Sequence, residues 1–197
     1  MRIVAGAHRG RSLVAPKGHS TRPTADRARQ ALYNVLEHAP WSVGVANLRV
    51  VDLFAGSGAL GLEALSRGGA FCLFADTDPA ATAAIAANLA TLRLEDRAAV
   101  RRWDVTRLPP RGADSAFDLA FLDPPYGKGF AEPGLAGLAT GGWLSSGALA
   151  VVEQGTGETA PAVAGFEVLD GRTWGAARVW FLRFDYVQSV ELDQTFP

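Results

Sequence analysis

The chain has 197 residues, 48% of them hydrophobic and 20% charged, with a formal net charge of −1, which suits one globular domain able to bury an adequate core. No apolar run is long enough to span a membrane and Met1 to Gly6 lacks the apolar core of a signal peptide, so neither a membrane segment nor a leader is expected. A lone cysteine, Cys72, allows no internal disulfide and points to a reducing cytoplasm, and three scattered histidines offer no metal-ligand cluster.

The near-zero charge conceals an asymmetry. Residues 1–30 hold seven basic residues (Arg2, Arg9, Arg11, Lys17, Arg22, Arg27, Arg29) against Asp26, a net of +6. The rest holds twelve basic and nineteen acidic residues, a net of −7. A basic arm on an acidic body is the pattern of a phosphate-backbone grip. Ile3, Val4, Leu13 and Val14 flank Gly6 and Gly10, which predicts a short hairpin with Arg9 and Arg11 near its turn.

Thr24 after Pro23 predicts an N-cap for a helix through about Leu36, whose apolar stripe is Ala28, Ala31, Leu32, Val35 and Leu36. Its expected place is over a ligand pocket. Pro40 and Gly44 mark a connector into the core. Leu48 to Leu53 reads as a strand. Phe54-Ala55-Gly56-Ser57-Gly58-Ala59-Leu60-Gly61 follows it and continues into a helix that ends at Gly68-Gly69. The glycines let the backbone pass close to a ligand at a helix N-terminus. A second strand, Phe71 to Ala75, ends at Asp76, an acidic residue placed to bind ribose hydroxyls.

Gly56 to Gly61 also fits the dinucleotide fingerprint, so a nicotinamide enzyme is one reading of this loop. Asp52 favours another ligand: a carboxylate just before the loop would hold an ammonium group, as in S-adenosylmethionine, and would repel a pyrophosphate. Pro79 starts an alanine-rich helix through about Leu94, and Ala98 to Trp103 is a third strand. Asp104 follows it, with the capping of a helix over Val105 to Leu108 as a second possible role.

Phe117 to Leu122 is a buried strand that runs into Asp123-Pro124-Pro125-Tyr126. Two prolines stop both ladder and helix, so a carboxylate, carbonyls and an aromatic ring stand at the strand's C-terminal edge, where open α/β sheets bind ligands. An acceptor-rich clamp with a stacking ring suits a planar amine. A helix around Pro133 to Ala139, a fifth strand from Ala148 to Gln154, and a final pair, Phe166 to Asp170 and Arg178 to Phe184, complete the pattern. Between the last two, Gly-Arg-Thr-Trp-Gly reads as a loop. The residues from Tyr186 read as a loosely ordered tail.

The order Asp-Leu-Phe-Ala-Gly-Ser-Gly, acidic second-strand tip, Asp-Pro-Pro-Tyr resembles the class I methyltransferases that act on exocyclic or amide nitrogens. Arg2 to Gly6, Arg9-Gly10-Arg11, Arg22-Pro23-Thr24, Asp26 to Arg29 and Gly58 to Gly68 are similar, more narrowly, to the bacterial 16S rRNA guanine-N2 methyltransferases of the guanine-966 type, from about Arg2 to Phe184. The resemblance implies a Rossmann-like α/β fold: a mostly parallel seven-stranded sheet with an antiparallel last strand, plus the N-terminal hairpin. One methyltransferase domain is expected over 1–185, with the arm at 1–23, a covering helix at 24–38, a core at 48–185 and the tail at 186–197.

It also implies S-adenosylmethionine as methyl donor and 16S rRNA, in a partly assembled small subunit, as partner of a monomeric, metal-free protein. Catalysis would fall to Asp123, Pro124, Pro125 and Tyr126. The cofactor would lie against Thr24, Asp52, Phe54, Gly56, Ser57, Gly58, Asp76, Thr77, Asp104 and Val105. RNA would meet Arg9, Arg11, Arg22, Arg27, Arg29 and Lys128. Two positions depart from the family: Gln30 and Asp76 both stand where glutamate is usual. Other readings of the same motifs are an N6-adenine DNA methyltransferase, a protein glutamine N5-methyltransferase (which usually has asparagine at the position of Asp123) and a non-catalytic RNA-binding assembly factor.

Overall fold

The computed structural model describes residues 1–16 and 23–185, without the side chains of residues 23–25. Arg22 and the expected tail therefore lie outside the described residues.

The core strands are β1 (Arg49–Leu53), β2 (Phe71–Asp76), β3 (Ala98–Arg102), β4 (Phe117–Leu122), β5 (Leu144–Gly155), β6 (Phe166–Trp174) and β7 (Ala177–Phe184). They form one seven-stranded sheet in the order β3-β2-β1-β4-β5-β7-β6. β1 to β5 pair in parallel and β7 is antiparallel to both neighbours. Strand order reverses between β1 and β4, which opens a crevice beyond their C-terminal ends.

The helices are α1 (Pro23–His38), α2 (Ala59–Ser66), α3 (Pro79–Leu92) and α4 (Ala131–Thr140). Leu32, Tyr33 and Leu36 of α1 pack with Leu62, Leu65, Ile85 and Leu89 on one face of the sheet, against Val50, Phe74, Phe121 and Val151. Leu135 and Leu138 of α4 cover the other, against Val51, Leu53, Ala75, Leu122 and Val152. α1 begins at Pro23 rather than after Thr24, because proline's fixed φ and missing N–H suit the first helical position. Cys72 is buried core, as its strand position predicts.

Gly61 makes the α2–β2 approach possible. A Cβ there would stand 2.4 Å from the Phe74 ring and 2.5 Å from Cys72 Sγ, so any side chain would push the helix off the strand.

The N-terminal residues form a hairpin on the bridge Arg2↔Ser12, with Ile3 N–H donating to Arg11 O at 3.0 Å and Gly10 N–H to Ile3 O at 2.9 Å. The hairpin is docked. Glu63 of α2 is fully buried and accepts from Val4 N–H at 2.8 Å and Ala5 N–H at 2.9 Å. Asn88 of α3 pairs with Val14 like a strand, accepting from its N–H at 2.8 Å and donating to its carbonyl at 2.9 Å. Glu63 in turn neutralises Arg67 at 2.8 Å and faces Arg29 at 3.6 Å. Asp26 takes Arg29 Nη2 at 2.9 Å.

Two local expectations fail. Gly171 to Trp174 is not a loop but the end of β6, closed onto β7 by the two-residue turn Gly175-Ala176 with Gly175 at φ 65°. The glycine at 171 serves packing: the Trp180 ring lies across it, 2.5 Å from where a Cβ would be. Val105 to Leu108 forms no helix. Asp104 instead holds a short turn, accepting from Thr106 N–H at 3.0 Å and Thr106 Oγ1 at 2.7 Å.

Candidate functional site

Strand alternation gathers the acidic side chains. Leu53, Ala75, Leu122 and Val152 share one face of the sheet. Asp52 just before Leu53, and Asp76, Asp123 and Glu153 just after the other three, therefore alternate to the opposite face, toward α1 and α2. Four carboxylates from β1, β2, the end of β4, and β5 thus border the crevice at the reversal point.

Two cavities meet there. The larger, about 880 Å³, is lined by Phe54, Gly56, Asp76, Thr77, Asp104, Val105, Asp123, Pro124, Pro125 and Tyr126, with Asp78, Arg107 and Phe130 among the rest. The smaller, about 290 Å³, is lined by Asp52, Phe54, Gly56, Ser57, Asp123 and Glu153, with Ala28 of α1 and Trp174 of β6. Phe54, Gly56 and Asp123 belong to both and form the shared wall.

Phe54 leaves β1 in the left-handed region (φ 58°), and its ring stacks on Phe130 at 6.2 Å and 3°. Such a backbone is uncommon outside glycine and collects at functional sites. Gly56 N–H donates to Asp76 Oδ2 at 2.8 Å, and Asp78 N–H to Asp76 Oδ1 at 2.9 Å. Asp76 therefore anchors the glycine loop and keeps spare lone pairs toward the cavity. The aspartate at this position has the reach for both tasks.

Asp52 is buried and accepts from Gly61 N–H at 2.8 Å. Burial raises its pKa well above the carboxylate range; that hydrogen bond lowers it, and the charges of Asp123 and Asp76 raise it further. Ser57 donates to Met1 Sδ at 3.5 Å, and Gly58 opens α2 at φ 76°. At the cavity rim, the bonds from Thr106 hold the exposed Asp104 carboxyl below its ordinary range.

Asp123 is solvent-accessible, yet it lies where the two cavities join, with protein on most sides. Desolvation and the neighbouring Glu153 carboxylate push it up to about 8, water in the open cavity opposing the first cause. The sequence alone gives no reason to expect a raised value. Tyr126 donates its hydroxyl to Glu153 Oε1. Burial, then that bond, raise its pKa, so the hydroxyl stays protonated as a donor.

The expected RNA contacts divide. Arg9, Arg11, Arg27 and Lys128 are exposed, with Arg11 Nη2 reaching Thr91 O at 3.4 Å. Arg29 is a correction: its side chain is 4% exposed, ion-paired to Asp26 and Glu63, and donates to the Arg2 carbonyl. Folding consumes this charge, and it is not available to phosphate. Gln30 donates to Asn34 Oδ1 at 2.7 Å on the helix surface. The Thr24 side chain lies outside the described residues.

Sequence reasoning passed over Glu153, Phe130, Glu63 and Asn88. Glu153 had a signal: it follows Val152 as Asp123 follows Leu122, at the same level of the neighbouring parallel strand.

A family model described as conserved hypothetical protein 95 matches residues 1–183. The chain is 39% identical over 153 residues to ribosomal RNA small subunit methyltransferase D of Escherichia coli, covering 78% of this chain and 74% of that protein. It is 35% identical over 155 residues to the protein of that name from Haemophilus influenzae, covering 78% of each. Among solved structures, the yhhF protein of Escherichia coli superposes with a TM-score of 0.80 at 31% identity, over 95% of this chain and 99% of that one. The rRNA methyltransferase aviRa of Streptomyces viridochromogenes shares the fold, with a TM-score of 0.62 at 23% identity over 87% and 88%. A match along nearly the whole chain, joined to these identities, means that the protein belongs to the conserved hypothetical protein 95 family of rRNA small-subunit methyltransferases.

Proposed function

We propose that this protein transfers a methyl group from S-adenosylmethionine to the exocyclic N2 of one guanine in 16S ribosomal RNA. The observation that carries the reading is the meeting of a cavity of about 880 Å³, lined by Asp76 and Asp104, with the Asp123-Pro124-Pro125-Tyr126 edge at the sheet's reversal point.

The residues present fit the methyl donor. Asp76 offers acceptors for ribose hydroxyls, Asp104 an acceptor for an adenine amino group, and Val105 with Phe54 an apolar slot between them. Asp52 at the floor of the smaller cavity offers a carboxylate to an ammonium group. When bound, the donor supplies an electrophilic methyl on a sulfonium.

Guanine N2 is a weak nucleophile because its lone pair is delocalised into the ring. Asp123 and the Pro124 carbonyl accept from the two N2 protons, which aims that lone pair at the methyl and stabilises charge arising on nitrogen. The Tyr126 ring, 44% exposed at the cavity edge, stacks on the base, worth about 1–3 kcal/mol in typical cases. A new C–N bond replaces the C–S bond, and the surplus N2 proton leaves afterward to water. No covalent nucleophile is required, and positioning supplies most of the acceleration. The base reaches this wall only when unpaired or flipped from its stack. Residues 1–185 act as one catalytic unit, with Arg9, Arg11, Arg27 and Lys128 meeting the phosphate backbone of a partly assembled small subunit.

The test is transfer of labelled methyl from S-adenosylmethionine to small subunits from cells lacking the protein, with nuclease mapping of the product. Label in N2-methylguanosine at one 16S site is expected. Label on DNA or protein, with none on rRNA, overturns the choice of substrate.

A further inference from the structure

Like Asp52, Asp76 and Asp123, Glu153 has no cation beside it among the described residues, and one of its two carboxylate oxygens is held while the other is left open. It sits half-buried at the end of β5, beside Asp123. The only hydrogen-bonding partner of its side chain among the described residues is the Tyr126 hydroxyl, on Oε1. Oε2 has no partner, and the residue lines the smaller cavity next to Asp123. A charged group held at a cavity wall without compensation is costly, so a ligand that supplies a proton donor at this point would recover what folding leaves unpaired.

The proposed substrate presents such a donor. Along its Watson–Crick edge guanine carries an N1–H directly beside the N2 amino group. With N2 at Asp123, one of the two ways to lay the base turns the adjacent N1–H toward the next strand, where Glu153 lies one strand spacing from Asp123 in parallel register. Adenine, and any purine with an unprotonated N1, would turn a lone pair toward the same carboxylate. The Tyr126 hydroxyl keeps Oε1 occupied and so holds the side chain in one orientation.

We propose that Glu153 is a specificity-determining residue of this site, its Oε2 accepting from guanine N1–H while Oε1 is anchored by Tyr126. The Asp-Pro-Pro-Tyr edge then reads the amine and β5 reads its neighbour. The inference rests on the guanine-N2 reading above. It gives Tyr126 a second duty: its ring stacks on the base while its hydroxyl orients the carboxylate.

The test compares small subunits reconstituted with either guanine or 2,6-diaminopurine at the methylated position. Both bases carry the N2 amine, but the analogue has a bare N1. The wild-type protein is expected to favour guanine in kcat/KM by at least about tenfold, because the analogue leaves the carboxylate facing a lone pair. In Glu153→Gln the carboxamide can still accept from Tyr126 while its NH₂ donates to the bare N1. The preference for guanine should fall by about tenfold or reverse, a change of ratio that a merely structural defect would not produce. Equal use of both bases by the wild type overturns the proposal without any variant. So does an unchanged ratio in Glu153→Gln, which leaves the guanine-N2 reading intact. No transfer to guanine by the wild type removes that reading, and this one with it.

Discussion

Asp123 carries the sharpest consequence at the scale of single residues. A carboxyl with its pKa raised to about 8 binds more protons in the folded chain than in the unfolded one, where 3.8 is the ordinary value. Stability then falls as pH rises between those values, because unfolding lets the group ionise freely. The contribution is fully present below the unfolded value and is lost as pH passes the folded one. Thermal unfolding of the ligand-free protein should show a Tm that declines from about pH 5 to pH 8, and Asp123→Asn should flatten that slope. Asp52, raised by burial, acts in the same direction. The sequence exposed Asp52, Asp76 and Asp123 because each stands beside a turn signal: the glycine loop, Asp78-Pro79, or Pro124-Pro125. Glu153 has no such neighbour, and only its level on a parallel strand reveals it. Arg29 was misread for a physical reason: a charge count weighs every arginine alike, whereas burial between Asp26 and Glu63 removes this one from the surface.

At the scale of elements, Glu63 joins the hairpin, α1 and α2. It receives two backbone N–H groups of the arm and faces two arginines whose side chains are 4% and 5% exposed. Arg67 also reaches Glu37 at 2.7 Å and lies over the Tyr33 ring at 4.6 Å. Glu63→Ala would leave both arm amides unpaired and each arginine with a single carboxylate, Asp26 for Arg29 and Glu37 for Arg67. A loss of about 3–5 kcal/mol is expected from breaking a buried ionic cluster on one side, measured by chemical denaturation. Glu63→Gln, which still accepts from the arm, should lose less. Strand and helix alternation made β1, β2, β4 and α2 legible from periodicity and punctuation. The β6–β7 hairpin was legible only in part, because glycine reads as a loop until the ring that covers it is known. Trp180 fills the space above Gly171 and keeps the strand in register, an aromatic covering a bare strand position. Asp104 shows the converse: a good capping residue makes only a turn when the following chain runs to Pro109-Pro110 and cannot continue as a helix.

Across the whole molecule, charge and position separate. The hairpin at the start of the chain is fastened to the body by Glu63, Ser66 and Asn88, so the exposed Arg9 and Arg11 on it hold a set position relative to the cavity mouth and do not sweep freely. Neutralising Arg9 and Arg11 together should weaken RNA binding and reduce the salt dependence of log K by roughly one phosphate contact each, measured as affinity against salt concentration. An unchanged slope would mean that the arm does not touch RNA. Methyl transfer to a saturating substrate should change little, since neither residue lines either cavity.

The gathering of four carboxylates on one face also sets a direction for turnover. Each of these carboxyls that is ionised attracts a sulfonium; once the methyl has left, the sulfur is neutral and that attraction ends while the carboxyls remain. On the proposed reading, the site is built to hold the reagent and to loosen its grip on what is left behind, so that the reaction discharges its own binding site. The ratio of S-adenosylmethionine to S-adenosylhomocysteine affinity, followed by calorimetry, should therefore grow as pH rises through about 8 and Asp123 takes up its charge, and Asp123→Asn should remove that growth.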